Sequence, residues 1–175
     1  PDILCTSKGL TAGYMPMSIT VTTDKVYDAF YDDYGTHKAF VHSHTYAGNP
    51  MGCAIALEVL KIMKRDHILD KVNEDGKYLH EELMKALGHH KNVGEIRHIG
   101  LINAIELVED PATKKAFPAE KRIGWHVFRK AMAKGLVLRP MGDVIYFNPP
   151  LNISREDLDK GVALCKEAVE AVLGE

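Results

Sequence analysis

The chain has 175 residues, of which 46% are hydrophobic and 26% charged, a composition typical of ordinary globular proteins. Its net charge of −2 does not indicate a nucleic-acid-binding surface, and no apolar run approaches the roughly 18 residues that a membrane span needs. The three cysteines are widely spaced, so we interpret them as reduced thiols of a cytoplasmic protein, without a disulfide framework or a zinc site.

The first candidate functional residue is Lys8, a lone lysine among small, apolar and turn-forming residues. It follows the short apolar run Ile3–Cys5 and precedes a turn that contains Gly9 and Gly13. We expect it to be partly desolvated, which favours the neutral amine that can attack a carbonyl group. The alternative, a surface lysine at the end of a strand, is the commoner situation for this residue type.

One strand and one short helix are predicted between this turn and residue 44. The β-branched run Ser18–Thr23 predicts a strand, and Asp24 is expected to cap a helix that ends near Phe30. The segment from Tyr31 to His44 is polar and aromatic, so we interpret it as a connector.

A long helix is predicted to begin at Pro50, with Asn49 as its N-cap. Its expected buried face carries Ala54, Leu57 and Leu60 at helical spacing. The free N–H groups at such a helix start suit an anion, and Thr45 adds a hydroxyl donor. The alternative is a capped helix that binds nothing, and His42 with His44 lacks the further ligands of a metal site.

Beyond Arg65 the chain is predicted to alternate between helices and strands. The predicted elements are a helix to Leu87, strands between Val93 and Val108 with breaks at Gly94 and Gly100, a helix over Glu120–Lys134, a hairpin of Leu136–Arg139 with Val144–Phe147, and a last helix after Ser154 with Leu158, Val162, Cys165 and Val169 on one face. This change of pattern predicts two units, residues 1–65 and 66–175.

Arg139 is the third candidate, because it follows the apolar run Leu136–Leu138 at the predicted hairpin. The planar guanidinium group can bind both oxygens of a carboxylate. A structural salt bridge at the end of the hairpin explains the residue equally well.

Three segments closely resemble the class III aminotransferases: Pro1–Pro16, His42–Met51 and Leu138–Pro150. The third of them, together with Phe117–Gly124, resembles the arm of that family that acts in biotin synthesis. The resemblance implies an α/β fold, the C-terminal portion of a fold-type I pyridoxal-phosphate-dependent transferase. Residues 1–65 would be part of the large domain with its connecting helix, and residues 66–175 the small α+β domain.

The family carries a long stretch before this lysine, with a phosphate loop, an aromatic ring stacked on the cofactor and an aspartate that faces the pyridine nitrogen. We therefore interpret the chain as the C-terminal part of a longer protein and expect it to have no turnover by itself. We also expect apolar surface to be exposed on the first unit.

The resemblance also implies a role for each candidate residue. Lys8 would be the catalytic residue and would hold pyridoxal 5′-phosphate covalently. Ser43, His44 and Thr45 would bind the cofactor, with Thr45 on the phosphate in the neighbouring subunit, and Ser43 would also line the substrate site. Arg139 would bind the substrate carboxylate. Ser43 departs from the family, which has glycine there, and no metal is implied.

The implied reaction is the transamination of 7-keto-8-aminopelargonate to 7,8-diaminopelargonate in biotin biosynthesis. The amino donor would be S-adenosylmethionine or lysine, and the enzyme would be a cytoplasmic homodimer whose subunits share their active sites. One alternative is another class III aminotransferase, acting on an ω-amino acid or a diamine. A third hypothesis gives the chain a structural role without catalysis.

Overall fold

A computed structural model describes residues 1–175 and divides them into two compact units, Pro1–Asp66 and His67–Glu175. The boundary follows Asp66, whereas the sequence analysis placed it after Arg65. None of the helices combines the length and the apolar composition that a membrane span requires.

The first unit contains a two-stranded hairpin, short helical turns and one long helix. Its elements are β1 (Ile3–Ser7), a 3₁₀ turn (Lys8–Thr11), β2 (Ser18–Thr22), α1 (Asp24–Asp28), a second 3₁₀ turn (Tyr34–Thr36) and α2 (Pro50–Arg65). β1 and β2 are antiparallel, with Cys5 opposite Thr20. The predicted strand is present as Ser18–Thr22. The short helix is also present, but its N-cap is Thr23 rather than Asp24, which is its first residue, and it ends at Asp28 rather than near Phe30.

The prediction for the buried face of α2 was wrong. Leu57 is 59% exposed and Leu60 is 51% exposed, while Gly52 and Ala56 are the buried residues of the helix. Within its own unit α2 packs chiefly on the 3₁₀ turn Lys8–Thr11, so its later turns receive little cover there. The expectation of exposed apolar surface on this unit is therefore confirmed.

The second unit is a four-stranded antiparallel sheet packed against three helices. Its elements are α3 (Ile68–Leu87), β3 (Val93–Ile99), β4 (Ile102–Leu107), a 3₁₀ turn (Ala119–Lys121), α4 (Ile123–Ala133), β5 (Arg139–Met141), β6 (Val144–Phe147) and α5 (Arg155–Leu173). The strand order is β3-β4-β6-β5. α5 contacts both α3 and α4, while α3 contacts β3 and β4, and α4 contacts β5 and β6.

The core of this unit lies between the sheet and the helices. The predicted apolar stripes supply much of it: Leu79, Leu83 and Leu87 of α3, Val127 and Ala131 of α4, and Leu158, Val162, Cys165 and Val169 of α5. Burial raises the pKa of the Cys165 thiol to about 12. This cysteine is therefore a packing residue, as the sequence analysis assumed.

Two predicted boundaries in this unit are displaced. The first strand of the hairpin is Arg139–Met141 rather than Leu136–Arg139, because Leu138 turns into the core before the strand pairs Pro140 with Ile145. α4 begins at Ile123, since Arg122 has a left-handed backbone (φ 45°) that separates it from the preceding 3₁₀ turn. The predicted cap of α5 is present, where the N–H of Asp157 donates to Ser154 Oγ at 3.1 Å.

Candidate active site

Lys8 begins the 3₁₀ turn that follows β1, and its backbone is left-handed with φ 51°. Ala12 (φ 49°) and Gly13 (φ 83°), at the end of the same turn, are left-handed as well. Residues with a Cβ rarely adopt this conformation, and such strain of about 1–3 kcal/mol tends to be kept at functional sites. The backbone of Lys8 is thus an independent reason to regard it as functional.

The side chain of Lys8 is exposed, so the expected partial desolvation is not found in this chain. The physical reason is local: the turn stands at the wall of an open cavity and is flanked only by the hairpin and the start of α2.

This cavity has a volume of about 1050 Å³, at the upper end of the range for small-molecule sites. Its wall combines the lysine turn, the loop that leads to β2, and the approach to α2. The lining residues are Ser7, Lys8, Thr11, Gly13, Met15, Pro16, Met17, Ser18, His44, Tyr46, Ala47, Gly48, Asn49, Gly52 and Cys53. The structure therefore brings Lys8 and His44 together, while Ser43 and Thr45 lie outside the lining.

The start of α2 is capped as predicted. The side-chain oxygen of Asn49 accepts the N–H of Met51 at 3.0 Å, and Pro50 is the first helical residue. His44 has a structural role that the sequence did not suggest, since its Nδ1 accepts the N–H of Tyr46 at 3.2 Å and holds the turn before the helix. Thr45 is exposed in this turn, and its hydroxyl makes no hydrogen bond within the chain.

Met15 and Met17 were not identified as site residues from the sequence. They pack on Gly52 in the first turn of α2, where an added Cβ would lie 3.4 Å from Met17 Sδ and 3.8 Å from Met15 Cγ. In the sequence, the feature that could have pointed to them is that the two methionines flank Pro16. The contact joins the loop that follows Lys8 to the helix start.

Arg139 belongs to the second unit, at the start of the edge strand β5. It is exposed and forms no ion pair within the chain, so the alternative of a structural salt bridge finds no support. Across the sheet it stands opposite Tyr146, which in turn is paired with Ala104. Arg97, in the same row on β3, does form ion pairs within the chain, as expected of a structural residue: its Nη1 lies 3.3 Å from Glu95 and 3.2 Å from Glu106.

The family model for aminotransferase class-III matches residues 1–169. The chain therefore belongs to the class III aminotransferase family. The predicted family and α/β fold are confirmed.

Particular relatives are similar over nearly the whole chain. The adenosylmethionine-8-amino-7-oxononanoate aminotransferase of Geobacter sulfurreducens is 45% identical over 174 residues, which are 99% of this chain and 38% of the relative. The crystal structure of the enzyme of that name from Methanocaldococcus jannaschii has a TM-score of 0.91 at 37% identity, with 99% of this chain and 39% of that one covered.

A (S)-enantioselective ω-transaminase of Thermomicrobium roseum has a TM-score of 0.88 at 34% identity, with 99% of this chain and 38% of that one covered. The chain thus spans about 38% of the length of the relatives that it matches.

The residues of the cavity fit one end of pyridoxal phosphate. Lys8 supplies the primary amine that the aldehyde of this cofactor requires, and the N-terminal end of α2 suits an anionic group nearby. No carboxylate lines the cavity, so the chain offers no partner for the pyridine nitrogen there.

Proposed function

We propose that the protein containing this chain transaminates 7-keto-8-aminopelargonate to 7,8-diaminopelargonate in biotin biosynthesis. The observation that carries the proposal is the placement of Lys8 on a left-handed turn in the wall of the cavity. The names of relatives with up to 45% identity support the choice of substrate. S-adenosylmethionine or lysine would supply the amino group.

Lys8 is the catalytic residue of this proposal. Its Nζ would hold the cofactor through the aldehyde group, and the same amine, when free, would move the proton at the reacting carbon. Pyridoxal phosphate, when bound, supplies the electron sink for these steps. The exposed position of Lys8 leaves its amine accessible for both tasks.

Ser43, His44 and Thr45 are the proposed cofactor-binding residues. His44 lines the cavity itself, and the hydroxyl of Thr45 has no partner within the chain and stands beside the capped start of α2. By the resemblance, Thr45 contacts the cofactor phosphate of a neighbouring subunit and Ser43 also lines the substrate site. The active enzyme is therefore proposed to be a homodimer in the cytoplasm.

Arg139 is the proposed ligand of the substrate carboxylate. Its guanidinium group is exposed on the edge strand and no acidic side chain in the chain neutralises it. A free, planar cation of this kind suits a bidentate carboxylate contact, which is worth about 1.5–3 kcal/mol.

The alternative is an aminotransferase that acts on an ω-amino acid or a diamine. The similarity to the Thermomicrobium roseum ω-transaminase favours it, since the TM-score of 0.88 is close to that of the biotin-pathway structure. Because both 7-keto-8-aminopelargonate and ω-amino acids carry a carboxylate, the two are distinguished by comparing turnover with each substrate directly.

The experiment uses a chimaera in which this chain replaces the matching 38% of the Geobacter sulfurreducens relative. We expect 7,8-diaminopelargonate to form, and borohydride reduction followed by peptide mapping to place the cofactor on Lys8. The Lys8→Ala variant should lose turnover, and the 175-residue chain alone should have none. A cofactor on another lysine would contradict the proposal.

Arg139→Ala in the same chimaera tests the substrate. We expect kcat/KM for the keto acid to fall about 10- to 100-fold, as a lost charge-assisted hydrogen bond predicts, while the half-reaction with the amino donor is unchanged. Arg129→Ala is the matched control, since Arg129 is also an exposed arginine of the second unit. Equal activity of Arg139→Ala with the keto acid would contradict the proposed role of Arg139 as the carboxylate ligand.

A further inference from the structure

Thr11 is the buried polar side chain of the first unit, at 1% exposure in a segment whose residues are mostly exposed. Its Oγ1 donates to the carbonyl of Met15 at 2.5 Å, and its own carbonyl accepts the N–H of Tyr14 at 3.0 Å. Thr11 therefore holds the loop at Met15 with its side chain and at Tyr14 with its backbone.

Lys8 and Thr11 are the first and last residues of one 3₁₀ turn, and both line the cavity. Three residues in the segment 8–13 have a left-handed backbone: Lys8, Ala12 and Gly13. This conformation persists only where the surrounding structure holds it. The hydroxyl of Thr11 makes the one side-chain hydrogen bond within this turn.

The bond also ties the turn to α2. The carbonyl of Met15 accepts a hydrogen bond from the hydroxyl of Thr11, and the side chain of Met15 packs against the buried Gly52. These two contacts connect the lysine turn, through the loop, to the start of the helix. If the hydroxyl were removed, the partly buried carbonyl of Met15 would lose its donor, and the turn would be held to the helix by its packing contacts alone.

We propose that Thr11 is a positioning residue that fixes the direction in which Lys8 enters the cavity. It does not act on the reacting atoms itself. The effect of Thr11 on catalysis rests on the function proposed above for Lys8. The effect of Thr11 on the direction of the Lys8 side chain does not depend on that function.

The test compares Thr11→Val, which keeps the shape and removes the hydroxyl, with Thr11→Ser, which keeps the hydroxyl. Each 175-residue chain is acetylated with N-acetoxysuccinimide over a range of pH, and peptide mass spectrometry gives the rate at Lys8 relative to Lys25, an exposed lysine of α1. We expect this ratio to change about threefold or more in Thr11→Val, the scale of one hydrogen bond, and to be retained in Thr11→Ser.

The same variants in the chimaera supply the second measurement. We expect Thr11→Val to lower kcat with little change in KM and to shift the pH titration of the visible cofactor band, and Thr11→Ser to restore both. A Lys8-to-Lys25 ratio that is unchanged in Thr11→Val overturns the inference. If the Lys8-to-Lys25 ratio changes in Thr11→Val but Lys8 of the chimaera holds no cofactor, the positioning role is supported and the proposed function is overturned.

Discussion

Asp75 is an example of a single residue whose environment the sequence did not reveal. It is 3% exposed on α3 and accepts hydrogen bonds from Lys71, on the same helix, and from Arg155 Nε at 3.0 Å, at the start of α5. Burial opposes the ionisation of its carboxyl group, but the two cations outweigh that cost and lower the pKa of Asp75. The residue therefore stays charged and links the two helices.

Replacing Asp75 with asparagine should destabilise the second unit by about 2 kcal/mol at pH 7, because two cations lose their shared partner. The lowered pKa means that the contribution of Asp75 is complete above about pH 4, the unfolded value, and is lost as the pH falls through the folded value. Urea unfolding at pH 7 and pH 3 checks this. Asp70→Asn, at an exposed site of the same helix, is the control, and an equal loss at both pH values would contradict the prediction.

His80, which is half-buried, and His98, which is exposed, form a second contact of single residues, with stacked rings whose centroids are 4.4 Å apart. The Nδ1 of His80 is buried without a hydrogen-bond partner. Burial, followed by the nearby His80 and Lys77, lowers the pKa of His98 below its ordinary 6.5. The unfolded chain therefore binds protons more readily at this site, so stability is full above about pH 6.5 and falls as the pH decreases through the folded pKa.

His98→Phe should remove this acid sensitivity while it keeps an aromatic ring against His80. The measurement is the urea midpoint between pH 7.5 and pH 5, which should depend less on pH in His98→Phe than in the parent chain. His89→Phe, at an exposed histidine in the loop after α3, should leave the dependence as it is. An unchanged slope in His98→Phe would show that the pair does not titrate in this range.

At the scale of elements, α3 approaches the sheet at a glycine. A Cβ at Gly76 would lie 2.1 Å from the carbonyl oxygen of Gly100, in the turn between β3 and β4. Since that atom is backbone, it cannot move aside as a flexible side chain could. A glycine in the middle of a helix indicates a close approach by another segment. The sequence could not identify that segment, because Gly100 lies 24 residues further along the chain.

Gly76→Ala separates helix propensity from packing, because the two effects have opposite signs. Propensity favours alanine by about 1 kcal/mol, whereas overpacking costs about 1–3 kcal/mol and more against backbone, so we expect a net loss of stability. Gly161→Ala in α5 is the matched control, since its Cβ would meet side chains and no backbone, the ring of Phe147 at 3.2 Å and Leu136 Cδ1 at 3.8 Å. Thermal unfolding of both variants measures the difference, and a stabilised Gly76→Ala would refute the packing argument.

At the scale of the whole molecule, the two units differ in how completely they bury apolar side chains. The second unit encloses a core formed by one face of its sheet and its three helices. The first unit leaves large apolar side chains exposed on both strands and both α-helices, including Leu4, Val21, Tyr27 and Leu57. Contiguous exposed apolar surface of this kind indicates association.

The 175-residue chain should therefore self-associate at micromolar concentration. Sedimentation velocity over a dilution series checks this, and Leu57→Glu combined with Leu60→Glu should shift the distribution toward the monomer. Leu69→Glu, at an exposed leucine of α3 in the second unit, is the control. A chain that stays monomeric at every concentration would contradict the prediction.

Local signals predicted most helix boundaries and core stripes correctly. The Asn49–Pro50 start of α2, the Ser154 cap of α5 and the stripe Leu79–Leu83–Leu87 depend on residues only a few positions apart, so the chain itself specifies them. The hairpin strand was displaced because the direction of Leu138 depends on the core it enters.

The sequence by itself determined the family, through the segments around Lys8 and Arg139, together with the type and order of the main elements. Only the tertiary structure decided which surfaces meet: it buried Thr11 against the loop of Met15, and it paired Asp75 with Arg155, which is 80 residues away. The physical reason is the sequence separation over which each kind of interaction acts. Capping and periodicity act within a few residues, whereas burial and ion pairing depend on segments that folding brings together.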